Sequence, residues 1–152
     1  MFTTLTLDVI PLLSIAAAMV LVYLPFGVVG YARARVGYDM SAPRALFDKL
    51  PPYAQRATWA HENGFETFGI FTAAALIAYV TRPHLDPWYF GLNGDEAVAV
   101  LCAVFLVGRL FYSLAYIADI PIGRSLSYLA GSLATLGLLM ISLLPLLQGG
   151  LA

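Results

Sequence analysis

Two short stretches of this chain hold most of the side chains whose type and spacing could do chemistry. In RATWAHENGFETF, Arg56, Trp59, Asn63 and Glu66 recur every three or four residues, so a helix here places them on one face. In FLVGRLFYSLAYIADIPIGRSLSY, Arg109, Tyr112 and Tyr116 keep the same period, and Arg124, Ser125 and Tyr128 follow a break at Asp119, Pro121 and Gly123. An arginine beside a helix N-terminus and a hydroxyl is suited to holding an anion or lowering the pKa of a thiol. It does so without titrating itself. A purely structural reading is also open: Glu66 pairs with Arg109 across two helices, Asn63 adds a hydrogen bond, the tyrosines pack, and Arg124 snorkels to the interface. The helix dipole opposes an arginine at an N-terminus that serves structure alone.

The elements that must position these groups are membrane helices. Of 152 residues, 61% are hydrophobic and 11% charged, and the mean hydropathy is +0.82. Soluble domains carry roughly 45–50% apolar and about 25% charged residues. At about 20 residues per crossing, the length holds four spans with short connections and no separate soluble domain, so residues 1–152 form a single all-α domain, a four-helix transmembrane bundle surrounded by lipid. The net charge is −1 and no long basic run occurs, which sets nucleic acid aside as a partner.

The first span is expected over residues 9–31, with Pro25 and Gly27 inside it predicting a kink. Residues 37–52 form a polar, proline-containing connection, and the second helix starts near Pro52, turning apolar over 68–80. Arg82-Pro83, Asp86-Pro87 and Asn93-Gly94 mark the second connection, with Trp88, Tyr89 and Phe90 as interfacial aromatics. The third span covers 97–117 and the fourth 125–147, ended by Pro145 and Gly149-Gly150. Arg33, Arg35, Arg44, Lys49 and Arg56 flank the first connection, against Arg82 in the second, so the first and third connections face the cytoplasm. The start of the chain, MFTTLTLDVI, has an acid and no base before the apolar run, and is read as a retained span, not a leader.

Other chemistry is poorly supplied. The single cysteine, Cys102, lies in an apolar run, and His61 and His84 fall in different segments, so no metal site is expected. No nucleotide loop, hydrolase elbow or metalloprotease motif is present. A transporter is disfavoured because no pair of broken helices is evident.

The two polar stretches together resemble the membrane-associated proteins in eicosanoid and glutathione metabolism, the MAPEG family. Arg56 ahead of Ala60, His61, Asn63 and Glu66 looks like that family's second-helix signature, and Arg109, Tyr116, Arg124, Ser125 and Tyr128 follow the order of its third and fourth helices. The resemblance implies a homotrimer that binds glutathione between subunits near the cytoplasmic side. It implies that Asn63 and Glu66 hold the glutathione backbone or amino end, that Tyr116 and Tyr128 supply hydroxyl contacts, and that Arg124 stabilises the thiolate with Ser125 beside it. Arg109 resembles an intramembrane arginine that is structural or ligand-binding, and Arg33 or Arg35 a basic contact at the end of helix one. The chain departs from the family pattern at Glu62, where eicosanoid-producing relatives often place a base, at Thr67, and at Gly69, Ile70 and Phe71 in place of a proline. AHENGFETF is most similar to bacterial members, which implies an inner-membrane protein. The expected activity is that of a glutathione transferase or peroxidase acting on a small lipophilic substrate. The alternative is a noncatalytic member that binds lipid or a protein partner.

Overall fold

The computed structural model describes residues 7–83 and 91–149. Four helices account for most of them: α1 (Ile10–Val36), α2 (Pro52–Thr81), α3 (Gly94–Ile117) and α4 (Pro121–Gly149). Each holds a stretch long and apolar enough to cross a membrane, and the chain is an integral membrane four-helix bundle. His84, Asp86-Pro87 and the aromatics Trp88, Tyr89 and Phe90 lie outside the described residues, as do the first six residues and the last three.

Helix boundaries follow local chemistry that span length does not report. Pro52 and Pro121 occupy first-turn positions of α2 and α4, where the missing N–H costs nothing. Asn93 caps α3 in a reciprocal box with Glu96, so Asn93-Gly94 is a helix start and the helix opens earlier than residue 97. Helix α1 runs beyond residue 31 to Val36, where Gly37 at φ 92° ends it, so Arg33 and Arg35 lie in its last turn. Their charges suit the negative end of the dipole. Helix α4 begins at Pro121, not 125, and continues past Pro145 to Gly149. The first connection contains a 3-10 helix over Pro43–Lys49 that the loop assignment missed. Before it, Asp39 Oδ1 accepts from the Ser41 hydroxyl (2.7 Å) and the Ser41 and Ala42 amides (2.9 and 3.3 Å). These bonds hold the exposed Asp39 carboxyl below its ordinary pKa.

Helix α1 packs on α2 and α3 on α4, while α2 and α3 meet along the centre and α1 and α4 stand on opposite sides of that pair. The buried stripe of α2 is nearly all small: Ala54, Ala57, Ala60, Gly64, Ala74, Ala75 and Ala78, with Phe71 as the one large residue. Lipid chains are as apolar as leucine, so close backbone approach carries much of the association energy here. Phe71 stacks on Phe105 of α3 with ring centroids 3.7 Å apart and planes 2° from parallel. Two apolar clusters result. One, around Phe71, Cys102, Phe105 and Leu138, fills one half of the bundle; the other, around Val29, Ala32, Leu50, Ala54 and Ala57, lies toward the first connection. The polar layer of the sequence motifs falls between them. The hydroxyls of Thr135 and Ser142 bond the carbonyl one turn back and so stay satisfied.

Helices α3 and α4 approach backbone to backbone at Gly108, where an added Cβ would meet the Ser127 carbonyl oxygen at 3.1 Å and the Gly131 nitrogen at 3.3 Å. Neither backbone atom can rotate away. Gly108→Ala is expected to cost about 1–3 kcal/mol of stability. Gly64→Ala, whose methyl would sit 3.6 Å from Val22, should cost little. Reversible unfolding in mixed detergent micelles reads both.

Candidate functional site

The polar stripe of α2 faces α3 in antiparallel order, one contact per turn. Arg56 lies nearest the first connection. Its Nε and Nη2 each donate to the Ile117 carbonyl at 3.2 Å, and its Nη1 pairs with Asp119 at 3.3 Å. One turn on, the Trp59 ring lies 6.4 Å from that of Tyr116. One turn further, Asn63 Oδ1 accepts from Arg109 Nη1 at 3.1 Å.

The Arg56 contacts explain the short turn from α3 to α4. Ile120 N–H bonds the Ala115 carbonyl (2.8 Å) and Asp119 N–H the Tyr116 carbonyl (3.2 Å), the paired bonds of a Schellman ending. Asp119 takes the left-handed position at φ 60° that glycine usually fills. An acid at a helix C-terminus opposes the dipole, and Arg56 offsets it while satisfying the Ile117 carbonyl. Arg124 N–H already bonds the Ile120 carbonyl. Arg124 and Ser125 therefore lie a turn inside α4, past its free N–H groups, and not at the helix start expected at residue 125.

Arg109 is 6% exposed. The direct Glu66–Arg109 bridge of the structural reading is not formed; the ion pair of this polar stripe is Arg56–Asp119. Asn63 stands between the two, taking the Arg109 bond and passing one from its own Nδ2 to Glu66 Oε2 at 3.0 Å. Glu66 sits i+3 from Asn63, so it reaches the amide along its own helix while its carboxylate stays toward the exposed side. The guanidinium carbon of Arg109 lies 4.2 Å from the Tyr112 ring centroid, a favourable distance for a cation over a π face. Arg124 is held the same way, 4.7 Å from the centroid of Tyr116. Tyr112 touches both Tyr116 (5.4 Å, edge to face) and Tyr128 (6.0 Å).

A groove of about 220 Å³ opens beside Arg109 between α2, α3 and α4. Arg109 and Tyr128 line it together with Thr67, Ser132 and Thr135, and Ile70, Phe105, Leu136 and Leu139 make its apolar part. Of the proposed residues, Arg109 and Tyr128 line the groove; Asn63 and Glu66 connect to Arg109 by hydrogen bonds, and Tyr116 adjoins through Tyr112 with Arg124 stacked on it. Ser125 is exposed, one turn before Tyr128 on α4, and does not line the groove. The apolar wall was missed from sequence because Leu136 and Leu139 look like any other span residue.

The opposite face of α2 borders a larger cavity, about 540 Å³, under the first connection. Arg33, Arg44, His61 and Glu62 line it. Arg35 instead donates to the Tyr31 hydroxyl of its own helix (2.9 and 3.1 Å), so of the two arginines Arg33 is the one that lines this cavity. His61 Nδ1 lies 2.7 Å from the Val22 carbonyl. A carbonyl only accepts, so Nδ1 carries the hydrogen. The ring packs against Tyr23, Phe26 and Phe65.

Replacing Asn63 by leucine strands Arg109 without its acceptor, and a loss of about 1–2 kcal/mol is expected. Glu66→Gln should cost less, since Glu66 is exposed and the amide can still accept. Unfolding in mixed micelles compares them; equal losses would contradict the relay through Asn63.

Among known protein families, the model of the MAPEG family matches residues 10–144. Neither the curated proteins nor the solved structures gave a match.

Proposed function

The chain belongs to the MAPEG family, and on that premise we propose that it is a glutathione-dependent membrane enzyme, a transferase and/or peroxidase for small lipophilic electrophiles or hydroperoxides. The observation that carries the reading is the state of Arg124. Among the described residues its guanidinium has no carboxylate or hydrogen-bond acceptor and rests on the face of Tyr116, leaving its donors for an anion.

Glutathione brings the nucleophile. A free thiol has a pKa near ~8.5, and a neighbouring arginine lowers it, raising the thiolate fraction at neutral pH. In this reading Asn63 and Glu66 take the peptide's amino end or backbone, Tyr116 and Tyr128 donate hydroxyl bonds, Arg109 holds Asn63 in place or contacts the peptide, and Arg124 faces the sulfur. Ser125, exposed a turn inside α4, is a weaker candidate for the sulfur than its place beside Arg124 suggested. A lipophilic electrophile reaches the site along the apolar wall of Leu136 and Leu139. The thiolate forms a bond to the electrophilic carbon, and the leaving group departs with its electron pair.

The same reading takes the protein as a homotrimer in a bacterial inner membrane, with glutathione between subunits and the first and third connections cytoplasmic. The exposure of Glu62 and Glu66 on a spanning helix supports it, because charged groups in a span need cover other than acyl chains. Native mass spectrometry from detergent should give three copies.

A second reading, a noncatalytic member binding lipid or a protein partner, is favoured by Glu62. Its carboxylate lines the cavity of Arg33 and Arg44, where it competes for the charge that a peptide carboxylate would meet.

Purified protein should bind glutathione and show thiolate absorbance, with a bound-thiol midpoint about 1 unit or more below the free value. Arg124→Gln should abolish that shift and retain folding. No binding at millimolar glutathione would sink the enzyme reading and leave the second.

A further inference from the structure

The contacts of Arg124 raise the question of what fixes its direction. No hydrogen bond or ion pair among the described residues orients the guanidinium, so its place depends on where the Tyr116 ring lies. That ring has two aromatic neighbours, Tyr112 at 5.4 Å and Trp59 at 6.4 Å. Tyr112 is buried and already engaged by Arg109. Trp59 is 43% exposed, and contributes little to the core.

Trp59 has a second neighbour. Phe47, in the 3-10 helix of the first connection, lies 5.8 Å from it at 55°. That segment is itself tied to α2, because Gln55 Nε2 donates to the Leu50 carbonyl at 3.0 Å and the Phe47 carbonyl at 3.4 Å. A continuous run of rings therefore leads from the first connection through Phe47, Trp59 and Tyr116 to Arg124. The contacts join four elements: the connection, α2, α3 and α4.

We propose that Trp59 is a positioning residue for Arg124, holding the Tyr116 ring on which the guanidinium lies, with Phe47 steadying Trp59 from the first connection. Its functional consequence rests on the reading of Arg124 as the thiolate-stabilising group. The geometric part does not: loss of the indole leaves the phenol ring held by Tyr112 alone, and the surface under the guanidinium is less firmly fixed. An aromatic replacement keeps the surface, whereas an aliphatic one removes the ring contact on both sides.

Two measurements test this on the full-length protein in detergent. The first uses an arginine-directed dicarbonyl reagent, with the modification rate of Arg124 followed by peptide mass. Trp59→Leu should raise that rate roughly three-fold, the scale of one lost exposed cation–π contact, with Trp59→Phe near wild type and Phe47→Leu between them. The rate at Arg56 should stay unchanged in Trp59→Leu, since its partners Ile117 and Asp119 are untouched. The second is the thiolate titration with glutathione bound: its midpoint should rise by about half a unit in Trp59→Leu and return in Trp59→Phe. An Arg124 rate that is the same in Trp59→Leu and wild type overturns the proposal. If Trp59→Leu fails to fold, Phe47→Leu decides by the same criterion. Wild-type protein that binds no glutathione overturns the thiol reading, and the reagent rates then decide the positioning by themselves.

Discussion

Arg109 is the only charged side chain among the buried residues described, and it lies in a helix that crosses the membrane. Placing a guanidinium there costs several kcal/mol unless its donors are met and its charge is answered. The bundle does both with few atoms. Asn63 accepts one N–H, Glu66 polarises Asn63 from the exposed side, and the Tyr112 face receives the cation. The Arg109–Asn63 bond requires α2 and α3 to lie close and in one antiparallel register, and the alanine stripe of α2 allows that closeness. The apolar clusters on either side of this layer could slide along one another; the polar layer cannot without breaking its bonds.

The same register fixes the end of α3. Arg56, two turns from Asn63, reaches the Ile117 carbonyl at the end of α3 and Asp119 in the turn. The turn is therefore held by a side chain from a different helix, and the first residues of α4 leave it in a set direction. Arg124 and Tyr128 inherit their positions from that turn and from the tight crossing at Gly108. The groove beside Arg109 is thus a product of helix packing and not of any loop.

Helix α2 works on both faces. One turns Thr67 and Ile70 to the groove, next to the Asn63–Glu66 pair, while the other carries His61 and Glu62 to the cavity beneath the first connection. Glu62 and Glu66 stand exposed, one on each of these faces of an otherwise apolar bundle.

Much of this was legible in the residues themselves. Hydropathy determined the four spans, because only lipid tolerates such composition. Helical period placed Arg56, Trp59, Asn63 and Glu66 on one face, and Arg109, Tyr112 and Tyr116 on another, because both follow from 3.6 residues per turn. Boundaries were less legible: Arg124 was read at a helix start, although Pro121 starts the helix a turn earlier, since proline's fit at the first position outweighed the polar turn signal. What only the tertiary structure decided is partnership. Sequence spacing cannot tell whether Glu66 or Asn63 meets Arg109, which of Arg33 and Arg35 turns inward, or that Arg56 closes the end of α3. Those outcomes depend on helix rotation and on distances of a few ångströms across helices, and these are set by which small residues let the backbones approach.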